Sequence, residues 1–149
     1  MLSAEQQQEL VGLADYEITN NLCTAVPKYQ SFNNMHIKYH DNKTLIMLCD
    51  LIILNAYVLT NMQVQIKYCW FNVMKEDSVH YKHKHDNLAC VYYLKNCTDN
   101  GTIIFIKDIE KTLPCLDNTI QFISNDVYHK TPSSKGLDRY SIAFDLCSA

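Results

Sequence analysis

In His83-Lys84-His85-Asp86-Asn87-Leu88-Ala89-Cys90-Val91-Tyr92-Tyr93-Leu94, a histidine pair runs straight into an apolar segment. Residues 90–94 carry the aromatic and β-branched side chains that suit a half-buried pleated surface. If the preceding stretch is extended too, His83 and His85 stand two residues apart on the same face. Two imidazoles on one face, met by a third from a distant strand, make a three-point facial metal site with open positions opposite. Imidazole suits iron, zinc, copper and nickel, so the donors do not name the metal. The plain alternative is a solvated strand end beside Lys82 and Lys84, since short motifs often misfire.

Outward from this stretch, the chain divides by pattern. Ser3 followed by Gln6 forms a capping-box signature that opens a helix to about residue 15. Residues 18–41 are polar and irregular, with Pro27 as a breaker, and contain His36 and His40, which read as ordinary exposed histidines. A second helix is expected over residues 42–61. Its apolar run is interrupted by Asp50 and Asn55 and is short for a membrane span, so it reads as a buried helix. From residue 62 onward, short runs rich in Val, Ile, Tyr and Phe alternate with Asp, Asn, Gly and Pro. Strands are expected at 63–75, 79–85, 89–95, 102–107, 119–123, 126–129 and 139–146. This predicts a mainly β fold with N-terminal helices. Its core is a double-stranded β-helix, the cupin-like jelly roll, with a helix or two over the larger sheet. A single domain of 149 residues is expected, with 1–61 as helical support and 62–149 as the jelly-roll core.

The basic residues add a second signal. Twelve lysines carry the positive charge, but there is one arginine, Arg139, ten residues past His129. Guanidinium is a flat fork that grips a carboxylate with two parallel hydrogen bonds and keeps its charge. The plain alternative is a surface ion pair. Ser141 follows at i+2, on the same face of a strand.

The order of these motifs matters more than any one of them. Trp70-Phe71-Asn72 is followed by His83-x-His85, by Val91-Tyr-Tyr-Leu94, by Gly101-Thr-Ile-Ile-Phe105, by His129, and by Arg139-x-Ser141. In this order the chain resembles the iron(II)- and 2-oxoglutarate-dependent oxygenases, especially small members found in phages and marine bacteria. The matching stretch runs from Trp70 to Phe144, about half of the chain. The resemblance implies metal ligation by His83, His85 and His129, with Fe(II), 2-oxoglutarate and O2 as cofactors. It implies that Arg139 and Ser141 hold the far carboxylate of 2-oxoglutarate. Tyr93 would hydrogen-bond the same carboxylate, as in the prolyl hydroxylase group. Asn72 resembles a strand asparagine that contacts 2-oxoglutarate in nucleic-acid-repair members. The commonest family triad has a carboxylate in the middle position, where this chain has His85. Asp86 is adjacent and a bulge could swing it in, so the second ligand is His85 or Asp86.

Composition bounds the partners. Net charge is −3, with no basic stripe, so a nucleic-acid substrate is not expected. Seven cysteines without a C-x-x-C pair read as reduced thiols of a cytoplasmic protein. No membrane partner is expected, and oligomeric state is not legible. The expected activity is hydroxylation of an unactivated C–H bond coupled to 2-oxoglutarate decarboxylation. The substrate would be a small molecule such as a free amino acid, or a protein side chain such as proline. Two other readings stay open. One is a three-histidine cupin-type dioxygenase that needs no 2-oxoglutarate. The other is a non-catalytic metal-binding jelly roll that serves as an interaction module. The polar loops at 74–79 and 96–100 are expected to act as mobile lids.

Overall fold

The computed structural model describes residues 1–20, 29–78, 80–98 and 101–149. Pro27 therefore lies outside the described residues, as do Val79, Asp99 and Asn100. Among the described residues, three helices precede seven strands: α1 (Ala4–Asn20), α2 (Met35–Lys38), α3 (Lys43–Thr60), β1 (Val64–Met74), β2 (Leu88–Lys95), β3 (Thr102–Ile106), β4 (Ile109–Leu113), β5 (Thr119–Ile123), β6 (Tyr128–Lys130) and β7 (Arg139–Ser148).

Local chemistry explains the helix ends. The Gln6 backbone N–H donates to Ser3 Oγ at 3.1 Å, and the Ser3 N–H donates to Gln6 Oε1 at 2.9 Å. That is the reciprocal capping box, and the helix it opens continues past residue 15 to Asn20. Asn42 Oδ1 accepts from the Leu45 N–H at 2.9 Å to start α3, and Asn61 ends it in the left-handed conformation with φ 55°.

The expectation of a buried second helix holds for one face of it. Only one stripe of α3 (Leu45, Leu48, Ile52, Ala56) is buried, while Leu54, Val58 and Leu59 are exposed. By length and composition alone α3 meets the requirements of a membrane span, but in this fold that stripe belongs to the core shared with the large sheet.

The strands form two antiparallel sheets, ordered β1-β7-β2-β5 and β4-β3-β6. The two faces of the large sheet differ in kind. Phe71, Cys90, Tyr92, Ile142 and Phe144 share a core with α1, α2 and α3. Alternation sends Arg139, Ser141 and Ala143 of β7 to the other face, where they line a cavity with Thr102 and His129 of the smaller sheet. Ser141 pairs with Asn72 on one side and Tyr93 on the other.

Two strand expectations change. Residues 80–85 form no strand; within them only His83 makes a bridge, to His129. Its neighbours have no ladder partner, so pairing stops after one residue. Strand β4 was not anticipated. Its residues Ile109–Thr112 are all exposed, so no alternation marks it. The turn before it places Lys107 and Asp108 at φ 51° and 62°, the type I′ pattern that usually advertises itself through glycine or asparagine.

Candidate active site

Three histidines converge. The ligand atoms of His83, His85 and His129 all lie within 4.8 Å of one another. Two elements bring them together. His129 lies on β6, paired with Ile104 of β3. His83 is locked to it by two backbone hydrogen bonds: its N–H donates to His129 O at 3.0 Å, and the His129 N–H donates to His83 O at 2.8 Å. His85, two residues on, swings back beside both rings, with centroids 5.0 Å from each. Trp70 on β1 backs His85 at 5.9 Å.

The outer contacts set the tautomers. His83 Nδ1 faces Tyr81 O at 2.8 Å and His129 Nδ1 faces Val127 O at 3.3 Å. A ring nitrogen facing a carbonyl must carry the proton, so Nε2 keeps its lone pair. His85 Nδ1 instead faces a carboxylate, Asp145 Oδ1, at 2.9 Å. Burial, followed by the neighbouring imidazole charges, holds His129 down to about 4. Burial likewise lowers His83. These imidazoles are thus neutral at pH 7, the form in which histidine binds metal. Asp86 is not among the converging groups, and neither are His36 and His40.

A fourth histidine stands beside them. His80 packs edge-on to His83 at 4.6 Å, and its Nδ1 accepts from the Thr131 N–H at 3.0 Å. Burial and its charged neighbours push it down to about 3. It lines the cavity but stays out of the three-histidine cluster.

The cavity has a volume of about 330 Å³. All three histidines of the cluster, Asn72, Arg139 and Ser141 line it. Arg139 is 1% exposed, and its Nε and Nη1 have no hydrogen-bond partner among the described residues. Nη2 donates to the sulfur of Cys115, at 3.8 Å. The guanidinium lies 5.5 Å from the Tyr93 ring centroid, a cation–π contact. A buried guanidinium with two unpartnered nitrogens is costly, and an anion entering the cavity would relieve that cost.

Tyr93 sits behind Arg139 and does not line the cavity. Its hydroxyl is engaged by Thr102 Oγ1 at 2.7 Å and by Gln121 Oε1. Asp145 was not singled out from the sequence, although a signal existed. Extending Arg139-x-Ser141 by the period of a strand gives Arg139, Ser141, Ala143 and Asp145 along one face. Cys115 beneath Arg139 had no comparable signal.

No family model and no curated protein matches the sequence. The fold, however, is similar to solved structures. It matches HygX from Streptomyces hygroscopicus, solved with nickel and 2-oxoglutarate bound, over 99% of this chain and 80% of that one, with TM-score 0.74 and 9% identity. It matches a prolyl-4-hydroxylase from Pseudomonas putida over 99% of this chain and 89% of that one, with TM-score 0.70 and 12% identity. An oxidoreductase of the 2OG-Fe(II) oxygenase family from Burkholderia pseudomallei matches over 58% of this chain, with TM-score 0.51 and 19% identity. The match covers 46% of that protein, so this chain spans about half its length. The three-histidine cluster and Arg139 thus face one cavity between the two sheets, in a fold similar to those of these solved structures.

Proposed function

We propose that this chain is a non-haem iron(II), 2-oxoglutarate-dependent dioxygenase that hydroxylates an unactivated C–H bond. The carrying observation is that Arg139, 1% exposed and with two nitrogens unmatched, faces the same cavity as three imidazole donors. On this reading the two sheets are the halves of a double-stranded β-helix, and residues 1–61 support its larger sheet from outside.

The donor set fits iron(II). His83, His85 and His129 would hold it from one side, leaving the cavity side open for a chelating ligand and dioxygen. When bound, iron(II) with 2-oxoglutarate and O2 supplies the oxidising chemistry. The chain's own residues bind and orient. Arg139 would take the far carboxylate through the N–H groups now unmatched, and Ser141 would add its hydroxyl on the same strand face. Asn72, opposite Ser141, lies within the same lining. Tyr93 acts one layer back, supporting the guanidinium with its ring while Thr102 and Gln121 engage its hydroxyl.

The proposed substrate is a small molecule such as a free amino acid, or a protein side chain such as proline. The likeness to a prolyl-4-hydroxylase structure is compatible with the second. A reducing, cytoplasmic setting is proposed as well, in keeping with the unpaired thiols of the six described cysteines.

One observation favours a second reading. The cluster holds three imidazoles and no carboxylate, which is the donor set of a three-histidine dioxygenase that needs no 2-oxo acid. Anaerobic addition of iron(II) and then 2-oxoglutarate separates the two. The first reading requires a weak visible charge-transfer band that appears only when both are present. Iron binding with no such band, and no 2-oxoglutarate binding by calorimetry, would transfer the assignment to the second.

A further inference from the structure

Three neutral imidazoles leave a divalent ion with its whole charge, whereas a carboxylate ligand would cancel one unit. The structure places a carboxylate one bond-path away. Asp145 Oδ1 is 2.9 Å from His85 Nδ1, with side chains 13% and 15% exposed. That oxygen is buried and makes no aligned hydrogen bond, so the His85 contact is close in distance but imperfect in angle. Asp145 also stays outside the set of mutually close ligand atoms formed by His83, His85 and His129. It is therefore not a fourth ligand in this geometry.

We propose that Asp145 is the charge-compensating and positioning residue of the metal centre, acting through His85. This rests on the reading of the three histidines as a metal site. The carboxylate takes the Nδ1 proton of His85 as a hydrogen bond, fixes the tautomer that presents Nε2 to the ion, and makes that imidazole a stronger donor. His83 and His129 have only backbone carbonyls at Nδ1, so the three donors are unequal. His85 carries the negative character that a middle carboxylate would otherwise bring. Strand β7 accounts for the placement: the face that offers Arg139 and Ser141 to the cavity continues through Ala143 to Asp145. One strand would thus serve the co-substrate at one end and the metal at the other. A plain ion pair joining the 80–87 segment to β7 would look the same in a static structure, so the test must read the metal.

The experiment compares the parent with Asp145→Asn, which keeps the shape and removes the charge. Anaerobic calorimetry with Co(II) should show affinity reduced about 10–100-fold, the range for partners behind a ligating histidine. The Fe(III)/Fe(II) potential should shift positive, because removing a nearby negative charge disfavours the more highly charged ion. Asp145→Glu should recover part of both. In a His85→Ala background, Asp145→Asn should cost little further affinity, since its path to the metal is gone. Parent-like affinity and potential in Asp145→Asn, or an undiminished effect in the His85→Ala background, would overturn the proposal and leave the metal-site reading standing. A parent that binds no Co(II) would remove both together. Should Asp145→Asn not fold, NMR of the Zn(II)-loaded parent decides. A strongly downfield Nδ1–H on His85 is expected, and its absence refutes the role.

Discussion

His83 and His129 are joined backbone to backbone by two hydrogen bonds, 3.0 and 2.8 Å long, and their rings stand 4.4 Å apart. The pair forms an isolated bridge at the edge of the smaller sheet. Two of the three candidate ligands are thus positioned by main-chain bonds that need no metal.

The first prediction follows from that preorganisation. His83→Ala and His129→Ala should keep the fold, because their backbone hydrogen bonds do not depend on the side chains. Each should weaken Co(II) or Fe(II) binding by more than about 100-fold, exceeding the loss expected for outer partners. Circular dichroism with metal titration checks both points. Parent-like affinity in either variant would take that histidine out of the site.

The second prediction concerns Arg139. Arg139→Lys should weaken 2-oxoglutarate binding by roughly 2–5 kcal/mol, tens to thousands of fold, because an ammonium cannot reproduce a bidentate grip. Arg139→Met should abolish binding yet stabilise the ligand-free protein by about 1–4 kcal/mol, as when buried ionic groups give way to apolar ones. Denaturant titration with and without 2-oxoglutarate measures both effects. A destabilised Arg139→Met protein would mean that the guanidinium is satisfied internally, and the anion-site argument would fail.

How much of this was legible beforehand depended on the kind of signal. Runs rich in β-branched and aromatic residues, such as those of β1, β2 and β7, announced themselves, because such side chains suit a pleated sheet surface. The caps at Ser3, Asn42 and Asn61 are local side-chain chemistry and could be read from neighbouring residues. Strand β4 could not, because it is solvated on both faces and its turn uses Lys107 and Asp108 in conformations neither residue advertises. The i, i+2 relation put His83 and His85 together even though their segment forms no strand; a short extended stretch is enough. The His85–Asp145 contact spans 60 positions and depends on how two elements fold against one another, which no local pattern carries. The engagement of the Tyr93 hydroxyl by Gln121 and Thr102 was hidden for the same reason.

The third prediction uses the cavity floor. Ala143 lines the cavity between the arginine and the metal-facing end of β7. Ala143→Leu adds bulk there without touching a donor atom. Co(II) affinity should stay within a few-fold of the parent, while 2-oxoglutarate binding falls by at least about tenfold, a loss of 1.4 kcal/mol. Unchanged 2-oxoglutarate affinity would place the co-substrate elsewhere.

The fourth prediction concerns acid stability of the metal-free protein. His80 is held down to about 3 and His129 to about 4, chiefly by burial, against an ordinary value of 6.5. Their folded values are depressed, so below pH 6.5 the unfolded chain binds protons that the folded protein refuses. Stability is therefore full above about pH 6.5 and declines as pH falls toward 4, then 3. Each histidine contributes a slope of up to about 1.4 kcal/mol per pH unit in that window. Urea midpoints should fall between pH 7 and pH 5, and His80→Gln should flatten the profile. A profile level across this interval would show that these imidazoles protonate freely while folded.

The last prediction concerns the loops expected to act as mobile lids. The described residues 75–78 are held at several points. The Lys75 N–H donates to Ser78 Oγ at 2.7 Å, Lys75 Nζ meets Asp138 at 2.6 Å, and Ser133 Oγ donates to Ser78 O at 2.6 Å. The other loop is tied by Asp117, which accepts from the Asn96 N–H at 3.0 Å and the Cys97 N–H at 2.7 Å. Asn96 Nδ2 also donates to Asp138 O at 2.8 Å, so both loops are fastened to the residue before Arg139. The amides of Lys75, Ser78, Asn96 and Cys97 should therefore exchange slowly in the metal-free protein, with protection close to that of β2. Asp117→Ala should release Asn96 and Cys97 selectively. Because Asp138 adjoins Arg139, Asp138→Ala should loosen the Lys75–Ser78 segment and weaken 2-oxoglutarate binding without changing Co(II) affinity, while Asn96 keeps its bond to the main-chain carbonyl of position 138. Rapid exchange at all four amides in the parent would restore the lid expectation, and the clamp around Asp138 would lose its role in presenting the arginine.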